Sequence, residues 1–165
     1  MFNLIPGQPV AAAATLTVGL IAIAFVDART HTIHNASILA LGAASVAAGS
    51  IDQLSLTQWA TGIACGLVAF VIYLERAVAD DAAGRLPVGA GDIKLIGVPV
   101  GVFGLASPLL AAGVLFLGVV FHSLFGLLGR SASRGSEENT AHGPALAVAA
   151  MVGLAVLTHT TGEVT

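Results

Sequence analysis

Charge is scarce in this chain. Only 9% of its 165 residues are charged, where a water-soluble domain carries about a quarter. That shortage, with 56% hydrophobic residues and a mean hydropathy of +0.95, excludes an ordinary soluble globule and points to a chain that lives in a bilayer. A net charge of −3 and the absence of any basic cluster give no electrostatic ground for a nucleic-acid partner, and none is expected. Cysteine is nearly missing too. Cys65 stands alone, so no internal disulfide can form, no Cys-x-x-Cys zinc pair exists, and the thiol reads as a small packing residue in an apolar run. Neither Lys nor Arg occurs in residues 1–9, whereas a secretory signal begins with one. Ala22-Ile23-Ala24 therefore reads as part of a retained span that continues to Val26, not as a cleavage site.

Apolar runs able to cross a bilayer number six: residues 10–26, 36–50, 57–74, 93–105, 108–128 and 144–160. The second and fourth are short against the roughly 20 residues a spanning helix needs. The expected architecture is all-α, a polytopic membrane protein of about six transmembrane helices forming one integral-membrane domain over residues 1–165. Gly62-x-x-x-Gly66 and Gly97-x-x-x-Gly101 are spaced for close helix approach in lipid, a weak signal in a chain so rich in Ala and Gly.

The few basic residues carry the orientation. Arg29 follows the first run, Arg76, Arg85 and Lys94 fall around the junction of the third and fourth, and Arg130 and Arg134 separate the fifth from the sixth. With six spans all of them lie on one face. The positive-inside rule makes that face cytoplasmic and both termini external. The opposite face receives residues 51–56, the tight Ala106-Ser107 turn and the tail, without a Lys or Arg. On the inner face, residues 30–35, 75–86 and 130–142 read as polar loops.

Ionisable groups at the rim of an apolar segment mark function by default. Gly89-Ala90-Gly91-Asp92-Ile93-Lys94 sets a carboxylate and an ammonium at the inner rim of the fourth span, behind glycines that allow a tight turn and close approach of a substrate strand. Span parity brings Asp27, at the end of the first run, to the same rim; apart from Glu75, no other acid sits so close to a span end. Two carboxylates held across a cleft share one proton, because like charges a few ångströms apart cannot both ionise cheaply. The ionised member can deprotonate water while the protonated one polarises a peptide carbonyl, which is general acid–base hydrolysis. Lys94 either biases that pair toward a single negative charge or snorkels to the headgroups. Arg29 reads as an inner-face anchor, with orientation of Asp27 as the lesser role, and Asn35 as a cap on the second helix. His31 and His34 have no third ligand at metal spacing, and His122, inside the fifth span, reads as a neutral histidine bonded to another helix. Asp80-Asp81 and Glu137-Glu138 read as solvated loop charges, or as attractors of a basic peptide.

These residues resemble a known family. Asp27-Ala28-Arg29-Thr30-His31-Thr32-Ile33-His34-Asn35 is similar to the Asp-x-Arg-x-x-x-Ile-Pro-Asn segment of prepilin peptidases. Gly89-Ala90-Gly91-Asp92-Ile93-Lys94-Leu95 resembles their Gly-x-Gly-Asp-x-Lys signature, and His142-Gly143-Pro144-Ala145-Leu146-Ala147 resembles the Gly-Pro segment that opens their last span. The resemblance implies a membrane aspartic endopeptidase without metal or cofactor, with Asp27 and Asp92 catalytic and Gly89, Gly91, Lys94, Arg29 and Asn35 in support. Its substrate would be a type IV pilin-like precursor, Flp-type or archaellin-like, with a basic leader, cut at the cytoplasmic membrane face. The pilus or secretion machinery would be an indirect partner. Larger members add a cysteine zinc segment and methylate the new N-terminus; the resemblance here is to the short, peptidase-only branch, so no methyltransferase activity is expected. The chain departs from the pattern at His34, where the family has proline, and at Pro99, which should kink the fourth span or mark its irregular part. Two other readings stay open from the residues alone: a non-catalytic helical membrane component, such as a transporter subunit or assembly factor, and a presenilin-type intramembrane protease. Phe25-Val26-Asp27 lacks the Tyr-Asp pair of the latter.

Overall fold

A computed structural model of the chain describes residues 7–30, 33–83, 90–132 and 143–162. Six helices make up its regular structure: α1 (Val10–Thr30), α2 (Asn35–Ile51), α3 (Leu56–Ala82), α4 (Ala90–Gly104), α5 (Pro108–Ala132) and α6 (Gly143–Gly162). No strand occurs among the described residues. Each of the six apolar runs is a helix. Four of these helices are long and apolar enough to span a bilayer, while α2 and the apolar part of α4 are shorter.

The shortest helix is the hub. α4 packs against every one of the other five, most extensively against α3. At 1.5 Å per residue its fifteen residues cover only about 22 Å. Its neighbours shield it, so it is spared the requirement of reaching both headgroup layers as a lipid-facing helix. Leu95, Ile96, Pro99 and Phe103 are fully buried. The bundle runs inside out relative to a soluble protein: Val18, Phe25, Leu39, Ile63, Leu109 and Phe116 are all exposed. Monomeric soluble proteins rarely tolerate apolar surface on that scale. The protein is an all-α, multi-pass membrane protein.

The two glycine pairs face each other across the α3–α4 seam. A Cβ built on Gly66 would sit 2.7 Å from the Gly97 carbonyl oxygen, and one on Gly62 would sit 2.8 Å from that of Gly101. The backbones therefore touch where side chains would hold them apart. Cys65 packs beside them, its Sγ 3.1 Å from where a Gly104 Cβ would stand.

Several local expectations change. α4 is assigned as helix through Pro99; the ring is buried, and its missing N–H leaves the Leu95 carbonyl without the usual partner. The loop expected at 75–86 is helical to Ala82, because Glu75, Arg76 and the alanines propagate a helix past the apolar boundary. Arg76 Nε donates to Asp80 Oδ2 at 3.0 Å, one turn along, so Asp80 belongs to a helix. Ser55 caps α3 in a reciprocal capping box with Gln58, and Ser107 Oγ accepts the Leu110 N–H at 3.0 Å to start α5 ahead of Pro108.

Candidate active site

Hydrogen bonds label the two ends of the bundle. At one end, α1 begins just after Pro9, which offers no side-chain acceptor for the first turn. Asp52, beyond α2, supplies it: the N–H groups of Ala11 and Ala12 donate to its Oδ1 and Oδ2, each at 2.9 Å. Gln58 at the start of α3 donates through Nε2 to the Gly7 carbonyl at 2.6 Å and reaches the Leu105 carbonyl after α4 at 3.4 Å. At the other end, Lys94 Nζ in α4 donates to Asn35 Oδ1, the first residue of α2, at 3.1 Å. The N–H of Gly143, the first residue of α6, donates to Asp27 Oδ2 at 2.9 Å. α1 and α4 therefore run in opposite directions, and their Asp27-bearing and Asp92-bearing turns lie at one end of the molecule.

Asp27 is buried, 4% exposed, in the last turn of α1. The C-terminal end of a helix carries partial negative charge and disfavours a carboxylate. α6 offsets this by presenting its positive N-terminus and one of its orphan N–H groups. The approach is tight: a Cβ on Gly143 would lie 3.0 Å from Asp27 Oδ2 and 3.0 Å from the Ala24 Cα. Among the described residues, only the Oδ2 of Asp27 takes a hydrogen bond. Its second oxygen is left over for other chemistry.

The remaining candidates separate. Gly89 and His31 lie outside the described residues. Gly91 and Asp92 stand in the first turn of α4. Gly91 is thus already helical, where a tight turn was expected: the helix begins two residues before Asp92, at Ala90. Lys94 is exposed and braces α4 against α2 through Asn35. Asn35 accordingly does not cap α2; His34 occupies the cap position and makes no side-chain cap bond. Arg29 places its guanidinium 4.0 Å from the centroid of the exposed Phe25 ring, a cation–π contact on the outer surface, so it turns toward Phe25. No cluster of three or more metal-ligating side chains forms among the described residues. Asp52, two residues past the second apolar run, is a further span-end acid beside Asp27 and Glu75, and Pro9 before an apolar helix, with no acceptor of its own, signals such a distant cap.

Residues 14–129 match the type IV leader peptidase family. The chain belongs to that family. The match covers most of the chain, including Asp27, Asn35, Asp92 and Lys94, and ends before α6. No curated protein and no solved structure matches the chain. Membership of the type IV leader peptidase family makes this a membrane peptidase, and α6, outside the matched region, contributes the N–H that holds Asp27.

Proposed function

We propose that the protein is an aspartic endopeptidase that removes the basic leader from type IV pilin-like precursors, Flp-type or archaellin-like, at the cytoplasmic face of the membrane. Asp27 and Asp92 form the catalytic pair. The observation that carries this reading is the Asp27 carboxylate: buried, held through one oxygen by the start of α6, with its other oxygen unclaimed among the described residues, at the end of the bundle where α4 begins. The ionised member of the pair takes a proton from water, whose oxygen attacks the scissile carbonyl. The protonated member polarises that carbonyl, and a proton passes to the departing amine. The pair titrates as a unit, so neither residue owns one role.

Six spans, with α4 short because its neighbours shield it, put every Lys and Arg on the side of Asp27. The positive-inside rule supports a cytoplasmic site with both termini external. The domain is single, works without metal or cofactor, and does not methylate its product. The test is co-expression with a pilin-like precursor, comparing the wild type with Asp27→Asn and Asp92→Asn. Each substitution stops leader removal while the protein still inserts; leader removal at the wild-type rate by either variant overturns the pair.

A further inference from the structure

The backbones of α2 and α3 do not come together, although both pack on α4. Between them runs an apolar cavity of about 330 Å³, floored by α4 and the residue that follows it, from Lys94 to Leu105, a length of about 16 Å. The Trp59 indole closes its far end by reaching over Gly49, where a Cβ would meet the ring at 2.8 Å. Lys94 stands at the near end, two residues past Asp92. The wall contributed by α2 contains Ser45, 2% exposed, whose hydroxyl has no hydrogen-bond partner among the described residues. Next to it, the space a Gly42 Cβ would enter is empty to 4 Å.

A buried hydroxyl without a partner is costly in an apolar surround. The occupant that suits this groove is therefore apolar along its length yet carries a group for Ser45. A lipid acyl chain meets the first condition and fails the second. A polypeptide segment meets both, because a backbone or side-chain carbonyl can accept from the hydroxyl, and small residues such as Gly42 and Ser45 allow its backbone to approach closely. The groove also ends at the turn that carries Asp92, so a chain lying in it emerges at the site. We infer that the α2–α3 groove seats the membrane-embedded apolar segment of the precursor, presenting the adjoining peptide bond to Asp27 and Asp92. This inference rests on the peptidase reading above.

Two experiments separate the groove from the chemistry. Gly42→Leu projects its side chain into open space, so the bundle folds and the groove is blocked. With a full-length pilin-like precursor, KM rises about tenfold and kcat stays within about twofold, the pattern of lost ground-state binding. A short soluble peptide holding only the leader and the scissile bond is cut equally by both proteins. An unchanged KM on the full precursor overturns the groove while leaving the peptidase reading intact; failure of the wild type to cut any precursor overturns that reading instead. Independently of turnover, a photo-crosslinker at Val46 or Ile63 in the Asp27→Asn background attaches to the apolar segment of the co-expressed precursor, and one at Val119 on α5 does not. Adducts to lipid alone, to a second copy of this chain, or equally from Val119, overturn the inference.

Discussion

Two buried aspartates receive helix N-termini at opposite ends of this bundle, and they differ in what is left of them. Asp52 spends both oxygens on the first turn of α1. Asp27 gives one oxygen to the start of α6, and its other oxygen takes no hydrogen bond among the described residues. Both carboxylates are removed from water to a similar degree, 6% and 4% exposed, so burial does not tell a structural acid from a reactive one. Saturation does. A carboxylate with both oxygens bonded to backbone N–H groups of one helix start is a fastener, while one bonded through a single oxygen among the described residues is oriented and keeps an oxygen for a further partner.

The contrast breaks first at Asp27. Asp27→Asn retains a carbonyl to accept from Gly143, so the fold survives, and leader cleavage falls by on the order of 10³-fold or more, measured against a co-expressed precursor. Asp52→Ala does the reverse. It leaves two N–H groups of a buried helix end unpaired and lowers stability by about 2–4 kcal/mol, read by unfolding in detergent micelles, while the folded fraction cleaves normally. Gly143→Ala acts from the α6 side: the added methyl meets Asp27 and the Ala24 backbone at about 3 Å, reducing kcat about ten- to a hundredfold, as small misplacements of reacting groups do, and lowering stability by about 1–2 kcal/mol. Ser55→Ala is the smallest, removing the α3 cap for about 1 kcal/mol with cleavage unaffected.

The six helices are legible in the sequence, because runs of apolar residues long enough for a bilayer leave little choice of structure. How far α3 and α5 continue is not legible there, since helix hydrogen bonding does not stop where hydrophobicity does. Glu75 to Ala82 are adequate helix formers with an Arg76–Asp80 pair along one face. The glycine pairs were too common in composition to weigh, and only their facing each other across α3 and α4 gives them meaning. For the candidate site, parity along the chain was enough to bring Asp27 and the start of α4 to one end. The bond from Gly143 to Asp27 joins residues 116 positions apart; no periodicity reports such a contact, and the Gly-Pro opening of the last helix was its one visible trace. The same distance problem hid Asp52, which lies forty positions from the helix it caps. Asn35 misled for a local reason: it is a favoured capping residue, but a lysine on another helix takes its carbonyl oxygen.

The most direct measurement is leader cleavage by Asp27→Asn and Asp52→Asn side by side, each normalised to the folded protein recovered from the membrane. The first yields no processed product, and the second yields wild-type processing per folded molecule. Processing by Asp27→Asn at the wild-type rate, or loss of processing confined to Asp52→Asn, would contradict that contrast.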